Sequence, residues 1–138
     1  MDKKFEILDH TADTGIIAYG DDLKEAFENT ALGMFSLITD ITDIEINLSR
    51  VININSPDAE DLLISWLNEF IYLFDVENLI FRRFDIIHLE ESSLSAVAYG
   101  EKVDHSRHEI KTGIKAATYH MLKIDDTDTC RVQVLFDI

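Results

Sequence analysis

The chain alternates between two hydrophobic periods, and the switches mark its elements. Phe5 to Leu8 reads as a short strand, and Thr14 to Tyr19 as a second strand closed by Gly20-Asp21-Asp22. The apolar period then lengthens. Leu23, Ala26, Phe27, Ala31, Met34 and Ile38 recur at helical spacing, and Asp21 or Asp22 can cap the free N–H groups at the helix start. Gly33 inside this stripe costs about 1 kcal/mol relative to alanine, which points to close packing against a neighbour. Ile44 to Ile54 alternates again and predicts a strand with an irregularity near Ser49-Arg50. Ser56-Pro57-Asp58 opens a second helix, with Ser56 as the cap and Pro57 in the first turn. Its apolar stripe is Leu63, Trp66, Leu67, Phe70, Ile71 and Phe74, with Trp66 as an interior anchor.

The remainder reads as strands. Leu79 to Leu89 and Ser93 to Val103 form a long hairpin turning at Glu90-Glu91-Ser92. Asp104 to Thr112 is a polar loop that places His105 and His108 at the surface. Ile114 to Ile124 alternates throughout, so Lys115, Ala117, Tyr119, Met121 and Lys123 share one face. A turn at Asp125 to Asp128 leads to a last strand, Cys130 to Phe136. The predicted class is α+β, with a mixed or antiparallel sheet and two main helices packed on it, in one domain spanning residues 1–138.

Composition narrows the function classes. Of 138 residues, 46% are hydrophobic, enough for a core that removes roughly two-thirds of the unfolded surface from water. No apolar run approaches the ~18 residues of a membrane helix, and the charged start, Met1 to Glu6, lacks the centre of a secretion signal. A single cysteine, Cys130, suits a small residue in a strand and a reducing compartment, so a cytoplasmic location is expected. The formal net charge is -15, from 27 acidic and 12 basic residues. The pairs Lys3-Lys4 and Arg82-Arg83 stand apart along the chain, so strong direct nucleic-acid binding is not expected. A basic protein partner, or cations, suits such a surface, although acidity can also serve solubility alone.

There is no phosphate-binding glycine loop, no GxSxG and no paired-cysteine site. Three segments carry candidate chemistry, each with an ordinary structural alternative. Asp9 to Gly15 packs carboxylates, the His10 imidazole and two hydroxyls into a bend, which suits a hard cation or an Asx-type turn. At the other end of the sequence, Asp137 sits beside the carboxylate of Ile138. Two such charges repel unless neutralised, and a solvated tail tolerates that repulsion. In Ile114 to His120, Lys115 brings a positive charge to a face of small and aromatic groups, or simply holds its head in water.

These segments sit among six stretches that together resemble the archease family. They are His10 to Asp13; Ala26 to Asn29 with Met34 to Asp40; Leu62-Leu63 with Trp66 to Asp75; Ala96 to Glu101; Ile114 to His120; and Phe136 to Ile138. Thr14 and Ala117 depart from the family's usual residues, and neither is a proposed ligand. The resemblance implies a non-catalytic accessory protein of the GTP- and Mn²⁺-dependent tRNA-splicing RNA ligase, promoting ligase guanylylation and repeated turnover. It also implies a divalent-cation site, calcium-type with magnesium or manganese as alternatives, built from Asp13, Asp137 and the Ile138 carboxylate. Lys115 is the implied functional lysine, and His10 lies in the same motif as Asp13. The alternative implied role is a chaperone-like partner of tRNA-modifying enzymes, such as a tRNA cytosine methyltransferase. A stand-alone metal-dependent hydrolase would need a positioned base, for which His10 or His120 are the only proposals.

Overall fold

In the computed structural model, which describes residues 3–9 and 13–138, seven strands form two separate antiparallel sheets. Strands β1 (Phe5–Asp9) and β2 (Thr14–Gly20) precede helix α1 (Leu23–Ile38). Strand β3 (Leu48–Asn55) leads to helix α2 (Ala59–Glu77), and β4 (Leu79–Leu89) and β5 (Ser93–Lys102) make the hairpin. Strands β6 (Ala116–Asp125) and β7 (Cys130–Asp137) close the chain. One sheet has the order β1-β2-β7-β6 and the other β3-β5-β4. The α+β class stands, but a single sheet does not. Helix α1 packs on β1, β2 and β7 of one sheet and on β4 of the other, while α2 packs on β6 and on all three strands of the second sheet. The helices join the sheets.

The helix starts follow local hydrogen-bond supply. Asp22 caps α1 by accepting from the Glu25 N–H at 2.9 Å. Asp58, not Ser56, caps α2, accepting from the Asp61 N–H at 2.8 Å. Ser56 is engaged elsewhere, its N–H on the Ser92 carbonyl and its hydroxyl near Ser65, so Pro57 lies ahead of the helix. Asn78 ends α2 in the left-handed conformation, φ 58°. Gly33 is tight, as its place in the stripe implied: a Cβ there would stand 2.9 Å from Ile16 Cγ2 and 3.1 Å from Phe5 Cγ.

Aromatic rings fill the space between the helices and β4. Phe70 lies edge-on to Trp66 (4.6 Å between centroids), Phe84 (5.1 Å) and Phe81 (5.3 Å). Trp66 is fully buried, and its indole N–H donates to the Phe27 carbonyl at 3.1 Å.

Two stretches differ from the sequence reading. The strand expected from Ile44 begins only at Leu48. Asp40 caps a short 3-10 turn, Ile41–Asp43, which drops Ile44 into the core, and the Glu45 N–H then turns to the Glu101 carboxylate at 2.7 Å. The loop after β5 is also no free surface loop. His105 is exposed, but His108 is buried. The Asp104 N–H can only donate, so His108 Nδ1 accepts it at 2.9 Å, and the proton sits on Nε2. Nε2–H then faces Glu101 Oε2 at 3.0 Å and the Asp43 carbonyl at 3.1 Å. Arg107 donates to Glu101 Oε1 at 2.6 Å. The strap from β5 to β6 is thereby fastened across the 3-10 turn, and further by the Lys111 N–H on the Ile38 carbonyl.

Glu101 is 3% exposed. Burial alone would raise its pKa, but the Glu45 N–H, Arg107 and His108 together hold it below its ordinary 4.5. A lowered carboxyl pKa means stability present above the unfolded value and lost as pH falls through the folded one. Glu101→Gln should therefore destabilise the protein by about 1–3 kcal/mol at neutral pH, the scale of lost hydrogen bonds to a charged group. In urea titrations, the gap between variant and wild type should close as pH drops below 4.5. A gap constant to lower pH would show that the charge of Glu101 is not what holds the strap.

Candidate metal centre

The candidate residues other than His10 converge at one end of the four-stranded sheet. Strand β2 pairs with β7 from Thr14↔Phe136 to Gly20↔Cys130. Carrying that register one residue on sets Asp13 across from Asp137. Directly opposed residues of an antiparallel pair lie on one face with Cβ atoms about 4.5–5.5 Å apart. On the other side of β7, Ala116 pairs with Asp137, and the Lys115 N–H donates to the Asp137 carbonyl at 2.8 Å. Lys115 therefore stands in register across from Ile138, one residue ahead of the strand that had been expected to include it. Asp13, the Asp137–Ile138 pair and Lys115, remote along the chain, meet at one sheet end. Asp13 is half-buried, and Lys115, Asp137 and Ile138 are exposed. His10 lies outside the described residues.

Packing specifies this end closely. Gly15 faces Leu135, and a Cβ at Gly15 would stand 2.5 Å from Leu135 Cδ2 and from the Val134 carbonyl, so only glycine lets β2 and β7 stay paired here. The Thr118 hydroxyl donates to the Leu135 carbonyl at 3.1 Å, and the Ala117 N–H donates to Asn68 Oδ1 of α2 at 2.9 Å. Asn68 was not visible as a site residue in the sequence. It stands between Leu67 and Phe70, and its amide fixes where β6 begins.

The alternation read through Ile124 breaks in the middle. Between the pairs Thr118↔Leu135 and Lys123↔Gln133, β6 carries four residues where β7 carries one. Met121 takes the left-handed conformation, φ 56°, and its carbonyl accepts from the Gln133 amide at 2.9 Å. Lys115 and Tyr119 therefore do not form one regular strand face with Ala117, which is buried while they are exposed. The Tyr119 hydroxyl instead donates to Asp61 on α2. That bond, then burial and the nearby acids, pushes its pKa up to about 12.

Chemically, the sheet end offers the Asp13 and Asp137 carboxylates, with Ile138 beside them. An all-oxygen donor set suits a hard cation, which takes about six to eight oxygens when it is calcium. Among the described residues, no group of three or more His, Cys, Asp and Glu side chains could hold a metal, so main-chain or terminal oxygens would have to complete this set. The basic pairs that stand apart in sequence come together elsewhere. Lys3, Lys4, Arg82 and Arg83 line one cleft of about 710 Å³ over α1. There Lys3 pairs with Glu6 at 2.6 Å and Arg83 with Asp85 at 3.1 Å.

The model of the Archease protein family (MTH1598/TM1083) matches residues 5–138. The chain belongs to the archease family. It is 43% identical to the protein archease of Methanosarcina acetivorans over 99% of this chain and 97% of that one. To the archease of Pyrococcus abyssi it is 42% identical over 89% of each. The solution structure of Methanobacterium thermoautotrophicum protein 1598 superposes with a TM-score of 0.79 at 35% identity, covering 98% of this chain and 99% of that one. The crystal structure of a Thermotoga maritima archease, described as a possible chaperone, shares the fold, with a TM-score of 0.64 at 23% identity over 96% of each chain. Family membership thus rests on nearly the whole chain, and the six stretches that resemble the family lie within it.

If Asp13, Asp137 and the expected Ile138 carboxylate act as ligands, extending the chain should be felt there and nowhere else. An added residue turns the Ile138 carboxylate into a neutral carbonyl and moves the charge about 3.5 Å away. A C-terminal extension and Asp137→Asn should each weaken calcium binding by about 1–3 kcal/mol in calorimetry, with the melting temperature nearly unchanged. Equal calcium affinity in tagged and untagged protein would remove the terminus from the ligand set.

Proposed function

We propose that this archease-family chain is a non-catalytic accessory protein of the GTP- and Mn²⁺-dependent tRNA-splicing RNA ligase, promoting ligase guanylylation and repeated turnover. The observation that carries the reading is the register that sets Asp13, Asp137, Ile138 and Lys115 at one exposed sheet end. In this reading the sheet end is the working surface. Its carboxylates hold a divalent cation, calcium first, with magnesium or manganese as alternatives, and Lys115 meets an anionic group of the partner. The exposed position of Lys115, Asp137 and Ile138 leaves room for a partner to complete the cation's shell. Covalent chemistry remains with the ligase, since the sequence lacks a phosphate-cradling loop and a nucleophile motif.

A second reading is a chaperone-like partner of tRNA-modifying enzymes such as a tRNA cytosine methyltransferase. The description of the Thermotoga maritima protein as a possible chaperone favours it. One experiment separates the two. Ligase, GTP and tRNA halves are combined with substoichiometric amounts of this protein, and ligated product is counted per ligase. Product should exceed one turnover only when the protein is present. Lys115→Ala should reduce that gain by about tenfold, the scale of one charge-assisted contact, at unchanged melting temperature. GMP covalently trapped on this chain, or a gain that Lys115→Ala leaves intact, would refute the accessory reading as stated. Stabilisation of the methyltransferase against aggregation with no ligase effect would favour the second.

A further inference from the structure

At the sheet end remote from Asp13 and Asp137, four elements enclose a groove of about 550 Å³. Its floor is apolar: Leu23 and Phe27 from α1, Leu62 from α2 and Leu89 at the end of β4. Phe27 and Leu62 are fully buried, whereas Leu23 and Leu89 are half-buried and bring the floor to the surface. The rim is acidic. Asp22, Glu90, Glu91 and Asp126 surround the floor, with Lys24 as the one cation among the lining residues. Asp21, Asp58, Glu60 and Asp125 adjoin lining residues along the chain and add to the negative potential at this end.

We propose that this groove docks a cationic amphipathic segment of a partner protein. An apolar side chain of that segment rests on the leucine floor, and Lys or Arg residues on either side meet the rim. Floor and rim together select this occupant. Burying an apolar side chain gives affinity, and the carboxylates give orientation and a fast approach. Nucleic acid and anionic lipid meet repulsion from the same carboxylates. A second copy of this chain carries a net charge of -15, and its basic pairs line the other cleft, among acids. A free polyamine matches the rim but leaves the floor uncovered. A short helix laid into the groove, with apolar residues at i and i+4, satisfies both. The groove lies beyond the far end of β2 from Asp13, roughly 20 Å away at strand rise, so it is separate from the cation site and does not rest on that reading.

The test uses the full chain and three probes. Two are synthetic helical peptides sharing one leucine row, flanked by Lys and Arg in the first and by Glu in the second. The third is spermine. Binding is measured by calorimetry and located by amide chemical shifts. The Lys/Arg peptide should bind, shift amides around Leu23, Leu62 and Leu89, and weaken as salt rises. The exposed pair Glu90→Gln with Glu91→Gln should bind it about three- to tenfold more weakly at low salt. Leu23→Gln should abolish binding, and Asp137→Asn should bind like wild type. Failure of the Lys/Arg peptide to bind overturns the proposal. So does equal binding of the Glu peptide, or a shift map centred on Asp13 and Asp137. If spermine reproduces the map and fully displaces the peptide, the groove is a simple cation trap and the docking proposal falls.

Discussion

The side chain of Phe70 ties α2 to α1 and to β4. It is the point where α2, α1 and β4 meet, ringed by Trp66, Phe81, Phe84 and Phe35, with centroids 4.6 to 5.9 Å away. Such edge-on contacts add about 0.5–1.5 kcal/mol each beyond burial, and they fix the rotation of α2 about its axis. That rotation matters beyond the core. Asn68 and Asp61 lie on the same helix, one holding the Ala117 N–H and the other the Tyr119 hydroxyl. The start of β6, and with it Lys115, is placed by a helix whose own position is set by aromatic packing. Without the helices, the two sheets would have no ladder between them and little to hold them together.

Much of this was legible in the chain. Seven strands and two helices follow from periods of two and of about 3.6, and a cap from Asp21 or Asp22, the buried Trp66 and the tight Gly33 follow from residue type in context. What was not legible has physical causes. Alternation predicts a strand but does not say which strand it joins, so one sheet was read where two exist. From Thr118 to Lys123 the residue types still suit a strand while the backbone leaves the ladder, where Gln133 donates to the Met121 carbonyl. His108 looked like a surface residue since its partners, Glu101 and Asp43, come from β5 and from a turn far upstream. Asp13 and Asp137 had no local signal tying them together. Only the family pattern joined them, and the β2–β7 register then brought them to one place.

The charge of the chain is distributed with a purpose that composition hides. Acids cap both helices at one end of the fold, and acids stand at the sheet terminus at the other. Four of the cations line a side cleft, where Lys3 meets Glu6, Arg83 meets Asp85 and Arg82 donates to the Ile44 carbonyl. Acidic groups thus stand at both ends of the four-stranded sheet, within a net charge of -15. A protein built this way orients itself in the field of a larger basic body before any contact is made.

The bulge in β6 has a consequence unrelated to binding. β6 is the edge of its sheet, and an unpaired edge is where chains add to one another and aggregate. Only Ala116 to Thr118 and Lys123 to Asp125 keep ladder geometry, with four residues thrown out of line between them. A foreign strand arriving there finds two short, offset runs of main-chain donors rather than one continuous row. The same irregularity that spoils the strand's alternation keeps the sheet from growing at that edge.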